Sequence, residues 1–417
     1  MNLSAVTSRL KCSAVAILIL ISTGGSTFAQ LFDFSYPRKR ESTSFHFINN
    51  LIIITLTING SGPYNFVLDT GVGLFLISDP SLVTIFPESS LRSIKINGLG
   101  EGSEMTALIY PAANIHIGNS IKGKIPVAIL QEDPFNLSSF VGMPIHGLIG
   151  YELFQSFIIR INYGQKTVTY YKPETAVVPR KGIRIPISIE ERKPYIYTTL
   201  KLHNDKREVA KLIIDTGAGH PISLETKDGE PYTTPEKSIR ANLGVGLSGM
   251  INGFVGRIRL LNLGKFQLDN LICAFPDHEN AAAKTSSIKR NGNLGNYVLK
   301  RFNVVFDYRR ESMYVKPNYM FKEPFEHDMS GMEITTEGAD FSQIVVMRVE
   351  PGSAAERIGL KRGDRILSVN FKPVKLMGIE EINSLFRSKN GRNIVLEILP
   401  HQSEDSKFSI ITLKRRI

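Results

Sequence analysis

The chain has 417 residues, of which 42% are hydrophobic and 21% are charged, so it can form packed cores and a largely disordered chain is excluded. It contains only two cysteines, which excludes a disulfide scaffold and a zinc module built from cysteines. The formal net charge is +11, but the basic residues are scattered, without a basic helix or interleaved aromatic residues, and this disfavours nucleic-acid binding. We expect a soluble globular protein of several domains.

Residues 1–29 predict a secretory signal peptide. Arg9 and Lys11 precede an apolar run over 14–21, and small residues lead up to Ala29. About eleven apolar residues are too few to cross a bilayer, which needs roughly twenty. We therefore expect a protein that is exported to the periplasm or secreted and spans no membrane after cleavage. An uncleaved membrane anchor is the alternative.

A long internal repeat follows the signal peptide. The sequence FVLDTGVG at 66–73 recurs as LIIDTGAG at 212–219, and an apolar element that ends at Gly150 recurs at Gly295. The two offsets, 146 and 145 residues, agree within one residue, which indicates a duplicated domain. Both halves contain apolar runs rich in β-branched residues and bounded by turn signals, which predict buried β-strands.

These landmarks predict the domain organisation of the rest of the chain. The first lobe is expected over 30–178 and the second over 179–318. A Pro-bounded linker is expected over 319–330, and a separate C-terminal domain over 331–417.

Each Asp-Thr-Gly triplet places an aspartate at the end of a predicted buried strand, where an unpaired carboxylate is costly. If the two repeats close around an approximate two-fold axis, Asp69 and Asp215 meet, and two carboxyl groups about 3 Å apart must share one proton. The ionised member could take a proton from water while the protonated member polarises a peptide carbonyl. For either triplet alone, a capped turn at a strand end is the alternative.

The paired triplets and the two apolar-glycine elements resemble the pepsin and retropepsin families of aspartic proteases over roughly residues 48–318. The resemblance implies a mainly β, bilobal acid-protease fold of two pseudo-symmetric β-barrel lobes with a cleft between them. It implies that Asp69 and Asp215 are the catalytic dyad. The residues that would support this dyad are Thr70, Gly71, Thr216 and Gly217. Lobes that pair between two molecules, instead of within one chain, are the alternative assembly.

Glycine-rich stretches lie between these landmarks in both halves, at 97–102 and 243–249. The resemblance implies that each forms a flap hairpin over the substrate, and a plain surface hairpin is the alternative. The implied flap residues are Gly98, Gly100, Gly102, Gly244, Gly246 and Gly249. The second stretch also matches G-x-G-x-x-G, but the residues after it are too glycine-interrupted for the helix of a dinucleotide site.

The C-terminal domain is similar to PDZ domains, which have an α+β fold. A strand, a Pro-Gly-Ser turn before a short helix and a Gly-Asp pair before the next strand carry the resemblance, with Ser353 as predicted N-cap and Gly359 after the helix. PDZ domains bind extended peptides by strand addition, with a backbone nest for a terminal carboxylate. By position, the peptide-binding segment is Gly331, Met332, Glu333 and Ile334. Docking or assembly alone is the alternative role.

Other chemistry is sparse in the sequence. The eight histidines form no metal-ligand motif, so no metal is implied, and no cofactor is implied because the dyad needs only water. His220 follows Asp215 by five residues and is interpreted as a surface residue, with a place in the cleft as the alternative. Cys273 lies in an apolar run and is predicted to be a buried thiol.

The leading hypothesis is an exported aspartic endopeptidase that hydrolyses peptides or unfolded proteins and uses its PDZ domain to recruit a peptide or partner. The alternative is a non-catalytic peptide-binding or scaffold protein that retains the acid-protease fold.

Overall fold

The computed structural model describes residues 31–96, 105–175, 182–247, 249–277 and 288–417. Within these ranges the chain is mainly β, with short helices. None of the helices in the described ranges is long and apolar enough to cross a membrane. The predicted signal peptide and the glycine-rich stretch at 97–102 lie outside the described residues.

Several strands of the first half are buried along most of their length, and β7 is mostly exposed. In chain order they are β1 (Phe32–Phe34), β2 (Arg40–Ser44), β3 (His46–Ile48), β4 (Leu51–Ile58), β5 (Ser61–Leu68), β6 (Phe75–Ile77), β7 (Arg92–Ile96), β8 (Met105–Ile117), β9 (Ile121–Leu130), β10 (Gly147–Ile149), β11 (Ile158–Asn162) and β12 (Thr167–Tyr171).

The strands of the second half repeat much of this pattern. They are β13 (Ile183–Pro186), β14 (Ser188–Glu190), β15 (Lys193–Lys201), β16 (Arg207–Asp215), β17 (Ile222–Leu224), β18 (Thr226–Lys227), β19 (Glu230–Pro231), β20 (Ile239–Gly246), β21 (Gly249–Leu263), β22 (Phe266–Pro276), β23 (Gly292–Gly295), β24 (Phe302–Asp307) and β25 (Ser312–Pro317).

The remaining elements are the C-terminal strands and the helices. The strands are β26 (Met332–Glu337), β27 (Gln343–Val349), β28 (Arg365–Val369), β29 (Lys372–Pro373), β30 (Asn393–Leu399) and β31 (Lys407–Thr412). The α-helices are α1 (Leu137–Val141), α2 (Tyr151–Ser156), α3 (Asn296–Leu299), α4 (Ala354–Arg357) and α5 (Ile379–Phe386). Short 3-10 helices cover Pro80–Ile85, Glu88–Ser90, Tyr308–Arg310, Tyr319–Lys322 and Val374–Leu376.

Two sheets with the same local topology form the two lobes. The first lobe, defined here as residues 32–149, contains a nine-stranded sheet, and the second lobe, residues 188–295, contains an eight-stranded sheet. In the first, β10 lies between β5, to which it is parallel, and β6, to which it is antiparallel. In the second, β23 lies in the same way between β16 and β17. The predicted mainly β, bilobal fold is confirmed.

A third sheet joins the two halves of the chain. Its six strands have the order β13-β25-β24-β11-β12-β2, so three strands of the second half lie beside three strands of the first half, and the two groups meet at the pairing of β24 with β11. Apolar side chains cover it, including Phe154, which packs edge-on against Phe306 at 5.3 Å between ring centroids. Because such burial is the main favourable term in folding, this sheet fixes one lobe against the other.

The C-terminal domain has its own sheet and its own core. The sheet has the order β26-β27-β28-β30-β31, and β29 pairs with β28. Ser353 caps α4 by accepting a hydrogen bond from the Glu356 N–H, and Gly359 has a φ of +76°, so both predicted roles are confirmed. Cys273 is a buried free thiol, as predicted.

Candidate active site

In each lobe an aspartate lies at the end of an equivalent strand, next to the other lobe. Strand β5 ends immediately before Asp69, whose N–H donates to the carbonyl of Ile149 in β10 at 2.9 Å. Strand β16 ends at Asp215, which pairs with Gly295 in β23. Buried apolar strands therefore deliver both carboxyl groups to the line where the lobes meet.

The structure brings the two carboxyl groups together. The side chains of Asp69 and Asp215 form a hydrogen bond with each other. The glycine of each triplet lies against the aspartate of the other lobe. A Cβ on Gly71 would lie 2.9 Å from the Asp215 Cγ, and a Cβ on Gly217 would lie 2.3 Å from the Asp69 Cγ. Real side chains essentially never approach so closely, so only glycine permits this contact.

The two threonines hold the lobes together directly beneath the carboxyl groups. The Thr70 hydroxyl donates to the Ile214 carbonyl at 2.6 Å and accepts from the Thr216 N–H at 3.0 Å. The Thr216 hydroxyl donates to the Leu68 carbonyl at 2.7 Å and accepts from the Thr70 N–H at 3.0 Å. Both threonines are fully buried, so each of these four bonds contributes about 1 kcal/mol and leaving one unmade costs more.

The electrostatics of the pair favour one shared proton. Burial, the charge of Asp215 and the hydrogen bond from the partner carboxyl raise the pKa of Asp69 well above its ordinary value, while the Gly71 N–H and Lys193 oppose this rise. Two like charges in contact cannot both persist in a poorly solvated site. Asp69 therefore keeps its proton to higher pH than an ordinary aspartate, as expected for a carboxyl group that shares a proton with its neighbour.

Asn293 is a site residue that the sequence reasoning missed. It lies in β23, and its Nδ2 donates to the Asp215 Oδ2 at 2.7 Å. The equivalent position in β10 is Leu148, which packs in an apolar cluster of the first lobe. The signal was an asparagine in an apolar-glycine element whose other copy is entirely apolar. This amide makes the dyad asymmetric, because Asp215 accepts from both Asn293 and the Gly217 N–H.

The structure corrects the interpretation of His220 as a surface residue. The sequence favours a surface position, but the ring is packed next to Asp215, and its Nε2 is buried without a hydrogen-bond partner. The Gly295 position explains the burial: a Cβ there would lie 1.9 Å from the His220 carbonyl, so β23 packs tightly against the loop that carries His220. Burial lowers the pKa of His220, and the charge of Asp215 opposes this, which favours a neutral imidazole beside the dyad.

The glycine-rich stretch of the second lobe forms a hairpin. Strands β20 and β21 pair up to Gly246 and Gly249, and Gly244 has a φ of +134° at an irregularity in the ladder. The segment that follows is a strand, which confirms that no helix opens after the G-x-G-x-x-G pattern. Leu247, at the tip, packs against an apolar cluster of the first lobe, so the hairpin crosses from one lobe to the other. The flap glycines of the first lobe, Gly98, Gly100 and Gly102, lie outside the described residues.

The predicted peptide-binding segment of the C-terminal domain lies at the start of β26. The Gly331 N–H donates to the Asp328 carboxylate at 2.7 Å, and the Met332 N–H donates to the Ser330 hydroxyl at 3.2 Å. The Glu333 side chain pairs with Arg348 at 3.2 Å. Internal groups of this chain therefore already occupy the donors and the carboxylate at this segment.

Among the described residues, no group of three or more histidine, cysteine or acidic side chains is arranged to hold a metal ion.

Comparisons with known proteins bear mainly on the C-terminal domain. Residues 345–400 match the family profile of the PDZ domain. The chain is 35% identical over 78 residues to the carboxy-terminal processing protease CtpA of Bacillus subtilis (strain 168), an alignment that covers 19% of this chain and 16% of that protein. The chain thus spans about a sixth of the length of the curated relative that it matches.

Two solved structures also show similarity. The photosystem II D1 C-terminal processing protease matches with a TM-score of 0.20 and 22% identity, over 21% of this chain and 23% of that chain. The aspartic proteinase from Irpex lacteus matches with a TM-score of 0.43 and 10% identity, over 68% of this chain and 99% of that chain. The profile match and the sheet with two short helices together identify the C-terminal domain of the chain as a PDZ domain.

Proposed function

We propose that the chain is an aspartic endopeptidase that hydrolyses peptide bonds with the carboxyl groups of Asp69 and Asp215. The observation that carries the proposal is the direct hydrogen bond between two carboxyl groups from equivalent positions of a duplicated lobe. A purely structural role for this arrangement is unfavourable, because two acidic groups in contact destabilise a fold unless they share a proton.

The proposed reaction needs only water as a second reactant. Asp215 in its carboxylate form takes a proton from a water molecule, whose oxygen attacks the carbonyl carbon of the substrate. Asp69 donates its proton to the carbonyl oxygen, which gives a neutral tetrahedral diol. The diol then collapses as one of its hydroxyl protons returns to Asp69 and the proton on Asp215 passes to the leaving nitrogen, so the C–N bond breaks and the shared proton is restored.

The neighbouring residues have distinct proposed roles. The N–H groups of Gly71 and Gly217 orient the carboxyl groups, at 2.6 Å and 2.8 Å from the Oδ1 atoms of Asp69 and Asp215. Asn293 favours the carboxylate form of Asp215 through its amide N–H, since a hydrogen bond to a charged acceptor stabilises the charge. Asn293 is thus a positioning residue that keeps the proton on Asp69.

The names of the similar proteins agree with a peptide substrate. Both processing proteases are named for action at a protein C-terminus, and the third similar structure is named an aspartic proteinase. We extend this to propose a peptide or protein substrate for the present chain, recruited or oriented with the help of its PDZ domain. We also propose that the chain acts after export, because its first residues have the composition of a signal peptide.

The test is hydrolysis of an unfolded protein such as reduced casein by the purified chain across acidic to neutral pH. Asp69→Asn and Asp215→Asn should each lower the rate by roughly 10²–10⁴-fold, because each removes a proton donor or acceptor from the reaction. Asp269→Asn, a charge change at an exposed position of β22, is the matched control and should leave the rate unchanged. Hydrolysis that survives both dyad substitutions would refute the mechanism.

The second candidate is a peptide-binding or scaffold protein that keeps the fold without turnover. The observation that favours it is the internal occupation of the donors at Gly331 and Met332, which indicates a PDZ domain used for docking. Recovery of intact bound peptides from the purified chain, with no hydrolysis at any pH, would support this candidate over the protease.

A further inference from the structure

The PDZ face that takes peptides in other members of its family is covered here by the first lobe. That face lies between an edge strand and a helix, which are β26 and α5 in this chain. The Thr336 hydroxyl of β26 donates to the Ser139 carbonyl of α1 at 2.7 Å. A Cβ on Gly142 would contact both Thr336 and Ile379, at 3.3 Å and 3.5 Å, so the chain after α1 reaches across the groove from strand to helix.

A two-residue turn of the first lobe adds hydrogen bonds to the helix of this groove. Asn49 and Asn50 join β3 to β4, with φ values of 48° and 63°. The Asn49 N–H donates to the Glu380 Oε2 at 2.7 Å, and the Asn383 amide donates to the Asn49 Oδ1 at 2.9 Å. Asn49 is buried, so these bonds belong to an intramolecular interface and do not face solvent.

The other residue of this turn contacts the loop that follows Asp215. The Asn50 amide donates to the Gly219 carbonyl at 2.9 Å, and the Asn296 amide donates to the Asn50 carbonyl at 2.6 Å. Lys300 donates to the Asn50 Oδ1 at 2.9 Å. Gly219 also lies so close to the turn that a Cβ there would be 2.7 Å from the Asn49 carbonyl. Asn49 and Asn50 therefore connect α5 of the PDZ domain to the loop that follows Asp215.

The PDZ domain also contacts the second lobe. The Arg348 guanidinium of β27, which pairs with Glu333 of β26, donates to the Arg240 carbonyl of β20 at 3.1 Å. Strand β20 is one arm of the glycine-rich hairpin. The PDZ domain thus contacts elements of both lobes that lead to the proposed cleft.

We propose that the peptide face of the PDZ domain is an intramolecular docking surface for the two lobes, and that through Asn49 and Asn50 it positions the loop that follows Asp215. This inference deepens the proposed function and rests on it for the effect on catalysis. A peptide that entered the groove would have to displace α1, so ligand binding and the position of the loop that follows Asp215 are coupled.

The test compares two substitutions on α5 in the full chain. Glu380→Ala with Asn383→Ala removes both bonds to Asn49. Glu381→Ala is the matched control, because Glu381 lies on the same helix and pairs with Lys372 on the exposed side. The readouts are amide hydrogen exchange over 136–143 and 216–220, and the kcat and KM of casein hydrolysis.

In the double variant we expect exchange in both segments to be at least about tenfold faster, because a docked segment opens more often when its bonds are lost. We also expect kcat to fall severalfold with KM nearly unchanged, since the loss concerns orientation of a reacting group and not substrate binding. The control should match the wild type in every readout. Thr336→Val, which removes one bond and keeps the side-chain shape, should accelerate exchange over 136–143 even if the double variant folds poorly.

The outcomes separate this inference from the proposed function. Unchanged exchange over 136–143 in both variants would refute the docking surface, and faster exchange there with unchanged exchange over 216–220 would refute the coupling to Asp215. A wild-type chain that hydrolyses nothing would refute the proposed function, and the exchange measurements would still decide whether the PDZ domain docks.

Discussion

Asp69 and Asp215 occupy equivalent positions in the repeat but accept different numbers of N–H groups. Each accepts one from the glycine of its own triplet, and Asp215 accepts a second from Asn293. The remaining Asn293 Oδ1 is buried without a partner, so this amide is retained at an energetic cost. The proposed role of Asn293 accounts for this cost, because its amide would keep the single proton on Asp69 and not on Asp215.

We predict that Asn293→Leu, which introduces the residue type of the first repeat, moves the acidic limb of the kcat/KM profile to higher pH by about one unit. The variant loses the hydrogen bond that stabilises the carboxylate form of Asp215. A loss of ~1.4 kcal/mol of this stabilisation corresponds to one pH unit. The measurement is the pH dependence of peptide hydrolysis. A structural role alone would lower the rate equally at all pH values, and that result would contradict the prediction.

The sequence predicted the two aspartates and the residues beside them because the repeat marks them twice. It did not predict Asn293, since a single asparagine in an apolar element has no local signature of contact with a residue of a neighbouring strand. His220 was assigned to the surface because histidine is usually accessible to solvent, and its burial depends on packing against Gly295, a long-range contact. The roles of these residues in catalysis remain predictions.

At the scale of elements, the β20–β21 hairpin is the clearest candidate for a moving part. Val245 and Met250 are large apolar residues with exposed side chains near its tip, while Leu247 contacts the first lobe. Exposed apolar side chains beside a cleft are suited to contact an extended substrate. Gly244 lies at the irregularity in the ladder of this hairpin and has a φ of +134°, a backbone conformation that other residues rarely take.

We predict that Gly244→Ala lowers kcat/KM by about tenfold, because alanine at this positive φ costs of order 1–3 kcal/mol and changes the hairpin geometry. Gly391→Ala is the matched control: Gly391 also has a positive φ and open space around it, but it lies in the PDZ domain. The control should lower thermal stability slightly and leave kcat/KM unchanged. Equal effects of both substitutions on kcat/KM would contradict a role for the hairpin.

Most strands and helices could be predicted from the sequence, but the distant residues that they contact could not. The N-cap Ser353 and Gly359 after α4 lie where the sequence predicts them, because hydrophobic patterning and capping signals are local. The turn at Asn49 and Asn50 has an ordinary composition for a hairpin, so nothing local indicates that it contacts both α5 and the loop after Asp215. Such contacts depend on the assembled lobes.

At the scale of the whole molecule, a buried acid makes folding stability depend on pH. Glu152 in α2 is almost completely buried, and burial raises its pKa to about 7 from an ordinary value of 4.5. Because the folded-state pKa is higher than that of the unfolded chain, the protonated group is favoured on folding. This contribution is fully present below the unfolded-state pKa and is lost as the pH rises through about 7.

We predict that Glu152→Gln removes this part of the pH dependence and makes the chain more stable than the wild type at alkaline pH, by up to roughly 3 kcal/mol. The measurement is the free energy of unfolding in urea at a series of pH values from acidic to alkaline. Parallel stability curves for the variant and the wild type would show that Glu152 ionises freely in the folded state and would contradict the prediction.

The sheet shared by the two halves has a consequence for biosynthesis. Strand β11 obtains its central neighbour β24 only after another 140 residues of the chain have been made. A nascent polypeptide that ends between them leaves β11 with an open strand edge, and one that ends before residue 215 also lacks the second aspartate. Proteolytic capacity, as proposed, is therefore withheld until the second half of the chain has been made and has paired with the first.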